Sequence, residues 1–467
     1  MIKRLRKNKA LADEAYIACE ADNWRLLAER LRADNPNEAC AFVLARPSRG
    51  VVRTTLILKE VIWPEDGEVD ATPYSLEISA DYISRAMDTA INAGELTGVV
   101  LIHTHPDGNG RFSPRDDWYE NRLFPTFTLD RPSAICGSIV LGETGLDARI
   151  WWNDGTGLTT QDVNIVKLVG PNIRFIETPH SSWKDHPDPL VMDRSTRIWG
   201  IEGRRRLQNI RVGVVGVGGT GSITVLSLAT MGAGKIIAFD DDIVKKENLN
   251  RLLGATRRMV GKKKVAALAP FIKSVATAKP FTLKPIAERG TTSEALTMLR
   301  DCDVIFSCVD KFAPRVPLND LAYAHLIPTI DMASWIHSSK GTVDAIMTHA
   351  HILSPGIACA WCQQTISPLR LMREAQGNQG GIENRYGVDV DAQDDTEPSV
   401  LPLNLAGVGL ALLEFMQITL GITAKTPNDL KMILPEWELD ESDLSSIPDC
   451  ATETSTALGD AAKIRPV

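Results

Sequence analysis

Val215-Gly216-Val217-Gly218-Gly219-Thr220-Gly221-Ser222 decides the fold of the larger part of this chain. The run Arg211 to Val215 before it is apolar and short, as in a buried strand, and a helical pattern follows. Glycine at 216, 218 and 221 satisfies G-x-G-x-x-G, with Gly219 inside the turn. Glycines there permit a tight turn and let a phosphate approach the backbone at a helix N-terminus. Lys235 to Phe239 is a second apolar run, so the order is strand, glycine turn, helix, strand. Val304 to Cys308 reads as a further buried strand. Asp240 ends the second strand, where a carboxylate meets a ribose hydroxyl. Alone, the motif suits an NAD-dependent dehydrogenase as well as an ATP-using enzyme.

The neighbours separate the two. Asp240-Asp241-Asp242-Ile243-Val244 runs into Glu247-Asn248-Leu249-Asn250-Arg251 and then Gly261-Lys262-Lys263-Lys264. A dehydrogenase has no use for Asn, Arg and Lys at these places. An enzyme that makes an acyl-adenylate must neutralise a triphosphate with cations and hold Mg²⁺ with an acid. The set G-x-G-G-x-G-S, D-x-D-x-V, N-L-x-R, G-x-x-K and the later C-x-D at Cys308-Val309-Asp310 resembles the ThiF/MoeB/HesA family and ubiquitin-activating enzymes. The resemblance implies a Rossmann-like domain binding ATP and Mg²⁺. In it Asp240 would hold the ribose, Asn248, Arg251 and Lys264 the phosphates, and Asp310 the Mg²⁺. Arg194-Ser195-Thr196-Arg197-Ile198 resembles the family's entry segment, with Ser195 and Ile198 in place of an aromatic residue and Gln. That assigns Arg197 to a partner subunit's nucleotide site and implies a homodimer. Lys311 stands where the family has Asn after the Mg²⁺-binding Asp.

Upstream lies a second constellation. His103-Thr104-His105-Pro106 ends the apolar run Gly98 to Ile102, and six residues later comes Ser113-Pro114-Arg115-Asp116. Histidines at i and i+2 on a strand end project to one side. With Asp116 at a helix start they offer two imidazoles and a carboxylate, which leaves a fourth tetrahedral position of zinc open for water. The string resembles the JAMM motif of JAB/MPN metalloproteases, which cleave peptide or isopeptide bonds at the C-terminus of ubiquitin-like proteins. By that resemblance His103, His105 and Asp116 would bind Zn²⁺. Glu38, before the apolar run Ala39 to Leu44, would be general base and acid. Ser113 would hydrogen-bond the oxyanion.

Eight cysteines, scattered from 19 to 450, do not make a disulfide scaffold and point to a reducing, cytoplasmic setting. Cys359-Ala360-Trp361-Cys362 has the spacing of half the activating family's structural zinc clamp, and only Cys450 follows it. Three readings stay open: a zinc site with Cys450 and a non-cysteine ligand, a metal-free pair, or a thiol acceptor. With no cysteine between 363 and 449, adenylation is better supported than a stable thioester.

The fold class expected is α/β: an α+β JAB/MPN-like domain at 1–165, a linker at 166–190, a Rossmann-like ThiF-type domain at 191–435 and a polar acidic tail at 436–467. The 467 residues carry a net charge of −8, with 51 basic against 59 acidic residues, which argues against a nucleic-acid partner. The basic start, Met1 to Lys9, has no apolar stretch behind it, so no secretory signal is expected there. Leu401 to Ile422 is apolar but holds Asn404, Glu414 and Gln417, so a buried helix is expected rather than a membrane span. Pro398 to Asn404 resembles the segment that opens the activating family's long buried helix.

The two resemblances imply a bifunctional enzyme. It would adenylate the C-terminal Gly of a ubiquitin-like, β-grasp protein and hydrolyse bonds at that same terminus, as precursor processing or deconjugation. The fusion resembles components of bacterial ubiquitin-like conjugation systems, some linked to phage defence, which adds a conjugating enzyme as a partner. The rivals are trimming and activation of a sulfur carrier, an inactive ubiquitin-like-binding module, and an oxidoreductase with no need of Arg251 or Lys264.

Overall fold

The computed structural model describes residues 11–106, 108, 110–185, 189–339, 342–376, 399–422, 427–434, 436–442 and 444–467. The basic start and most of the Gly- and Asn-rich stretch Glu374 to Glu397, read from sequence as a mobile loop, lie outside these residues. The chain divides into two compact units. One comprises 1–182 with 324–326 and 455–463; the other comprises the remainder.

Among the described residues the first unit carries a nine-stranded sheet. Its order is Ile173–Glu177, Ile165–Val169, Glu14–Glu20, Arg53–Ile62, Cys40–Arg49, Gly98–Thr104, Cys136–Leu141, Leu146–Asn153 and Leu158–Asp162. Gly98–Thr104 is buried along its whole length, which explains its continuous apolar run. Alternate residues face two different cores. Val100 and Ile102 pack with Trp24, Leu27 and Leu31 of the helix Ala21–Arg32. Val99 and Leu101 pack with Tyr82 of the helix Ala80–Asn92 and with Phe124 and Phe127 of the helix Pro114–Thr128. Phe42 meets Tyr82 edge-on at 4.9 Å and Phe127 at 5.9 Å. Such aromatic pairs contribute roughly 0.5–1.5 kcal/mol each beyond area burial. The helix Pro114–Thr128 is thereby fixed on the face that His103 shares.

In the second unit an eight-stranded sheet runs Thr282–Ile286, Lys235–Phe239, Arg211–Val215, Val304–Ser307, Thr329–Ser339, Thr342–Leu353, Asp429–Leu434 and Glu438–Ser442. The first five strands are parallel and the last three antiparallel additions. In chain order the parallel part is 3-2-1-4-5, so the order reverses between Arg211–Val215 and Val304–Ser307. Ligands of such sheets bind beyond the carboxyl ends at that switch point. The glycine turn and the Asp310 loop both emerge there.

Leu401–Leu420 is one helix, long and apolar enough by composition to cross a membrane. Its side chains pack on this sheet instead. Phe415 meets Phe306 at 5.4 Å, and a Cβ on Gly407 would stand 2.2 Å from Thr348 Oγ1.

Two stretches differ from the sequence expectation. The linker assigned to 166–190 contains strand structure: Ile165–Val169 pairs in parallel with Glu14–Glu20, and Ile173–Glu177 adds an antiparallel edge. The Pro, His, Ser and Asp that suggested a connector flank an apolar core of strand, Ile-Arg-Phe-Ile-Glu. The tail assigned to 436–467 is also folded. Glu438–Ser442 pairs with Asp429–Leu434, and its acids face solvent on an edge, where charge blocks further strand pairing. Residues 455–463 join the first unit. There Ala457 packs with Ala18, Ile57 and Val169, and Arg49 pairs with Asp460 at 3.1 Å.

Candidate functional site

The first site is built where Cys40–Arg49 and Gly98–Thr104 run antiparallel with Cys40 opposite His103. Ala39 N donates to Thr104 Oγ1 at 2.9 Å and Thr104 N to Ala39 O at 3.0 Å. This continues the register, which sets Glu38 across from His105. Glu38 N donates to Thr72 O at 3.0 Å, so the hairpin Val69–Thr72 and Ser75–Ile78 anchors it. Asp116 comes from the facing helix. Ser113 is that helix's N-cap: its Oγ accepts from Asp116 N at 3.3 Å, and Asp116 Oδ2 accepts from Ser113 N at 2.6 Å. With Pro114 at the first helical position, Ser-Pro-x-Asp is a capping box that fixes the helix start and aims the carboxylate.

His103 Nε2 stands 3.2 Å from Asp116 Oδ1, and His105 Nε2 stands 3.5 Å from Asp116 Oδ2. Ligand atoms round a tetrahedral zinc at ~2.0–2.1 Å lie roughly 3.3 Å apart. The spacing therefore fits a zinc ion. The His103 ring is buried, and among the described residues neither of its nitrogens has a hydrogen-bond partner. A buried imidazole costs free energy in that state, and coordination would relieve it. Glu38, His103, His105, Ser113 and Asp116 line one cavity of about 300 Å³ with Tyr74 and Trp118. Burial raises the Glu38 carboxyl above its ordinary value, while His103 and His105 pull it back. A carboxylate poised this way can take and return a proton.

Sequence reading missed Glu120, one helical turn beyond Asp116. It is buried, and its Oε2 accepts from Ser138 Oγ, Arg149 Nε and Trp151 Nε1 at 2.7, 2.8 and 2.9 Å. Those three donors pin the same helix against the sheet. The i, i+4 spacing from Asp116 was the available signal.

The second site surrounds the glycine turn. Gly216 has φ +86°, and a Cβ there would stand 2.7 Å from Cys308 O. A Cβ on Gly221 would stand 1.9 Å from Gly216 O. Both positions therefore need glycine. Nothing lies within 4 Å of a Cβ built on Gly218, while one on Gly219 would meet Asn404 Nδ2 at 2.4 Å. Gly218 caps the helix Gly219–Met231, whose first-turn N–H groups have no intrahelical acceptor. That cradle suits a phosphate.

The Asp240 carboxylate accepts from Val217 N at 2.7 Å and Asp242 N at 2.9 Å. Lys264 opens the helix Lys264–Val275, is buried, and places Nζ 2.7 Å from Asp242 and 3.9 Å from Asp240. Burial raises the Asp240 carboxyl, and Lys264 opposes that rise. Arg251 lays its stem near the turn, its Cδ being 3.6 Å from a Cβ built on Gly219, and donates to Glu247 O at 2.8 Å. Asn248 ends the short helix Lys246–Asn248, and its Oδ1 accepts from Lys245 N. Asp310 follows Val304–Ser307 and is exposed. Gly216, Gly218, Gly219, Gly221, Asp240, Arg251 and Lys264 thus gather round one turn, with the Asp310 loop touching it through Cys308. Arg197 lies before the kink at Gly200 in the helical stretch Pro189–Asn209, 76% exposed, and pairs with Asp193 at 2.8 Å. Asn404 beside Gly219 was not singled out for this site from sequence; it comes from a helix nearly 200 residues away.

Cys359, Cys362 and Cys450 form a third cluster. Their sulfurs are 3.6, 3.6 and 3.4 Å apart. Zinc–thiolate bonds of ~2.3 Å set sulfurs roughly 3.8 Å apart, so the three fit one metal ion. Burial pushes the Cys450 thiol up, but hydrogen bonds from the Glu453 backbone and from Cys362 and Cys359 outweigh it and hold the thiol below its ordinary value. Cys450 is thus the sulfur that more readily becomes thiolate, the metal-binding form, whereas burial pushes the Cys359 thiol up to about 12.

Comparison with known proteins identifies the two halves of the chain. Residues 192–433 match the model of the ThiF family, and residues 20–154 match that of prokaryotic homologues of the JAB domain. The SAMP-activating enzyme E1 of Haloferax volcanii is 31% identical over 153 residues, which is 33% of this chain and 54% of that protein. Ubiquitin-like modifier-activating enzyme 5 of Drosophila willistoni is 32% identical over 178 residues, 35% of this chain and 41% of that one. The chain thus spans about half or less of the length of these relatives. Among solved structures, E. coli MccB with MccA-N7isoASN aligns at 15% identity and a TM-score of 0.45, over 58% of this chain and 76% of that one. The ThiF match covers more than half of the 467 residues, and the chain belongs to the ThiF family, with a prokaryotic JAB-homologue domain fused before it.

Proposed function

We propose that the chain adenylates the C-terminal carboxylate of a ubiquitin-like protein with Mg-ATP and hydrolyses peptide or isopeptide bonds at that terminus. The observation that carries this is the presence in one chain of a His₂Asp metal cradle faced by Glu38 and a glycine turn flanked by Lys264, Arg251 and Asp310.

In adenylation a carboxylate oxygen of the substrate attacks the α-phosphorus. The bond to the bridging oxygen breaks, and pyrophosphate leaves with the electron pair. The glycine turn and first-turn N–H groups would orient the phosphates, and Lys264 and Arg251 would offset the charge that develops on the leaving group. Asp240 would hold the ribose and Asp310 the Mg²⁺.

In hydrolysis Glu38 takes a proton from the attacking water, whose oxygen adds to the scissile carbonyl. Ser113 Oγ accepts from Asp116 N and keeps its own proton free to donate to the oxyanion. Glu38 then delivers a proton to the leaving nitrogen as the C–N bond breaks. Zinc, when bound by His103, His105 and Asp116, supplies Lewis acidity and lowers the pKa of water to about 7.

ATP–pyrophosphate exchange with candidate ubiquitin-like partners, beside cleavage of their C-terminal fusions, tests both halves. Absence of both activities with every partner tried would leave a binding module as the better reading. No cysteine stands between Cys362 and Cys450. That favours hand-off of the adenylate to an external nucleophile, a conjugating enzyme or, as a second reading, a sulfur donor acting on a sulfur carrier. A thiol-sensitive adduct of the partner on this chain should therefore not accumulate. On the same reading the chain belongs to a bacterial conjugation system of the kind linked to phage defence. A plaque assay with Lys264→Ala checks that.

We also propose a homodimer, supported by the exposure of Arg197. Arg197→Ala and Lys264→Ala chains, each inactive in exchange alone, should recover up to about a quarter of wild-type activity when mixed. One pairing in two carries an intact site, and each mixed dimer holds one such site of two. No recovery between chains that do dimerise would count against an Arg197 acting across subunits.

For the three-cysteine cluster we propose a structural zinc. Cys450→Ser should lower bound zinc by one ion per chain and lower the melting temperature, since structural metal binding is folding free energy. Elemental analysis and thermal melts check this.

A further inference from the structure

Asp310 is exposed, so its position is set by the backbone that carries it rather than by packing of its side chain. That backbone, Cys308 to Ala313, is held on its inner side. Cys308 N donates to Val215 O at 2.8 Å. Arg315, buried and paired with Asp331, donates through Nη2 to Val309 O at 2.8 Å and through Nε to Lys311 O at 3.2 Å.

The outer side presents a problem. The helix Arg315–Ala324 begins just after Phe312-Ala313-Pro314, and none of these three carries a side-chain acceptor. The first helical amides are met locally, Arg315 N by Phe312 O at 3.0 Å and Val316 N by Ala313 O at 3.2 Å, so it is the amides of Phe312 and Ala313, just before the helix, that need acceptors from elsewhere. A distant residue supplies them. Glu374 Oε2, on the helix Pro368–Gln376, accepts from Phe312 N at 3.0 Å and from Ala313 N at 2.8 Å. One carboxylate oxygen thus serves two successive backbone donors just before the helix, and its charge strengthens both bonds. The same helix makes a second contact: the Arg370 guanidinium lies 5.2 Å from the centre of the Phe312 ring.

We propose that Glu374 is a positioning residue for Mg²⁺–ATP: by fastening Phe312 and Ala313 it holds the loop that presents Asp310 to the metal. This rests on the adenylation reading given above. On this inference Glu374 acts through two backbone amides rather than by its own contact with nucleotide or metal. The geometry also makes the helix Pro368–Gln376 a part of the nucleotide site, although no side chain of it carries a family motif.

The test compares full-length wild type with Glu374→Ala and Glu374→Gln. ATP binding is measured calorimetrically with Mg²⁺ and with a chelator, and amide hydrogen exchange is followed in the nucleotide-free protein. Glu374→Ala should lose about tenfold of the affinity that Mg²⁺ adds and leave affinity in chelator unchanged. Exchange at Phe312 and Ala313 should quicken, with the strands Arg211–Val215 and Val304–Ser307 unaffected. Glu374→Gln, whose amide oxygen still accepts, should keep most of the Mg²⁺ gain. A wild-type Mg²⁺ gain in Glu374→Ala overturns the inference alone. So does an equal loss with and without Mg²⁺, which would mark a merely structural role. A wild type that binds ATP no better with Mg²⁺ overturns both this inference and the assignment of Asp310.

Discussion

Lys264→Ala should lower ATP–pyrophosphate exchange by about a hundredfold or more, the scale on which removal of one preorganised donor from a charge-developing site is felt. The reason lies in where the ammonium is kept. Lys264 is buried at the first residue of its helix, between Asp242 at 2.7 Å and Asp240 at 3.9 Å. Helix N-termini attract anions and repel cations, so a lysine there is not placed for helix stability. Two carboxylates hold it instead, beside a turn whose open Gly218 position suits a phosphate. The variant should still fold. Asp242 is 65% exposed and returns to solvent, and Asp240 keeps its two backbone donors. Lys264→Arg should recover little, because a planar fork cannot replace a compact ammonium in a space shaped for it. Cleavage at the His103 site should remain unchanged in both variants. Loss of both activities from a folded Lys264→Ala chain would refute two independent sites.

The parts of this molecule legible in its sequence are those where chemistry restricts one short segment. Gly216 and Gly221 could be read because a Cβ at either would collide with backbone, so no other residue fits. The metal cradle could be read because His103 and His105 share one strand end and Asp116 one capping box, all within 14 residues. Residues brought in by tertiary packing carried no such mark. Asn404 and Glu374 approach the nucleotide site from helices far along the chain, and each is an ordinary polar residue in its local pattern. Glu38 was legible only through a resemblance. Its own surroundings, an acid before an apolar run, describe many solvated residues, and the antiparallel register with Gly98–Thr104 is what turns it toward the histidines.

The acidic C-terminal region shows the opposite error. Glu438–Ser442 is almost wholly exposed because it is an edge strand, and exposure on both faces removes the alternation by which strands are recognised. Its partner Asp429–Leu434 is apolar enough to be read, but pairing itself leaves no trace in composition. Cys450, beyond that hairpin, reaches Cys359 only because the region is folded. A folded segment rather than a loose tail is what brings Cys450 to Cys359 and Cys362.

Glu38→Gln should lower hydrolysis by about 10²–10⁴-fold, the usual contribution of a positioned general base, and retain the metal. Glutamine keeps the shape and accepts a hydrogen bond but cannot take a proton. His103→Ala should lose the activity by another route, through loss of one zinc per chain. Zinc analysis separates the two, since activity alone would not. Metal binding should also register in stability. In the metal-free protein the buried His103 ring has no hydrogen-bond partner among the described residues, a cost of about 1–3 kcal/mol for such a group. A ligand that binds only the folded state adds stability as its concentration exceeds its dissociation constant. A chelator should therefore lower the melting temperature of wild type and of Glu38→Gln alike, and lower that of His103→Ala by less, because only the cysteine-bound ion remains to be removed. Equal chelator sensitivity of His103→Ala and wild type would place the stabilising metal elsewhere. Full hydrolysis by a zinc-loaded Glu38→Gln chain would remove Glu38 from the proton path and turn attention to Glu77 and Glu120, which line the same cavity.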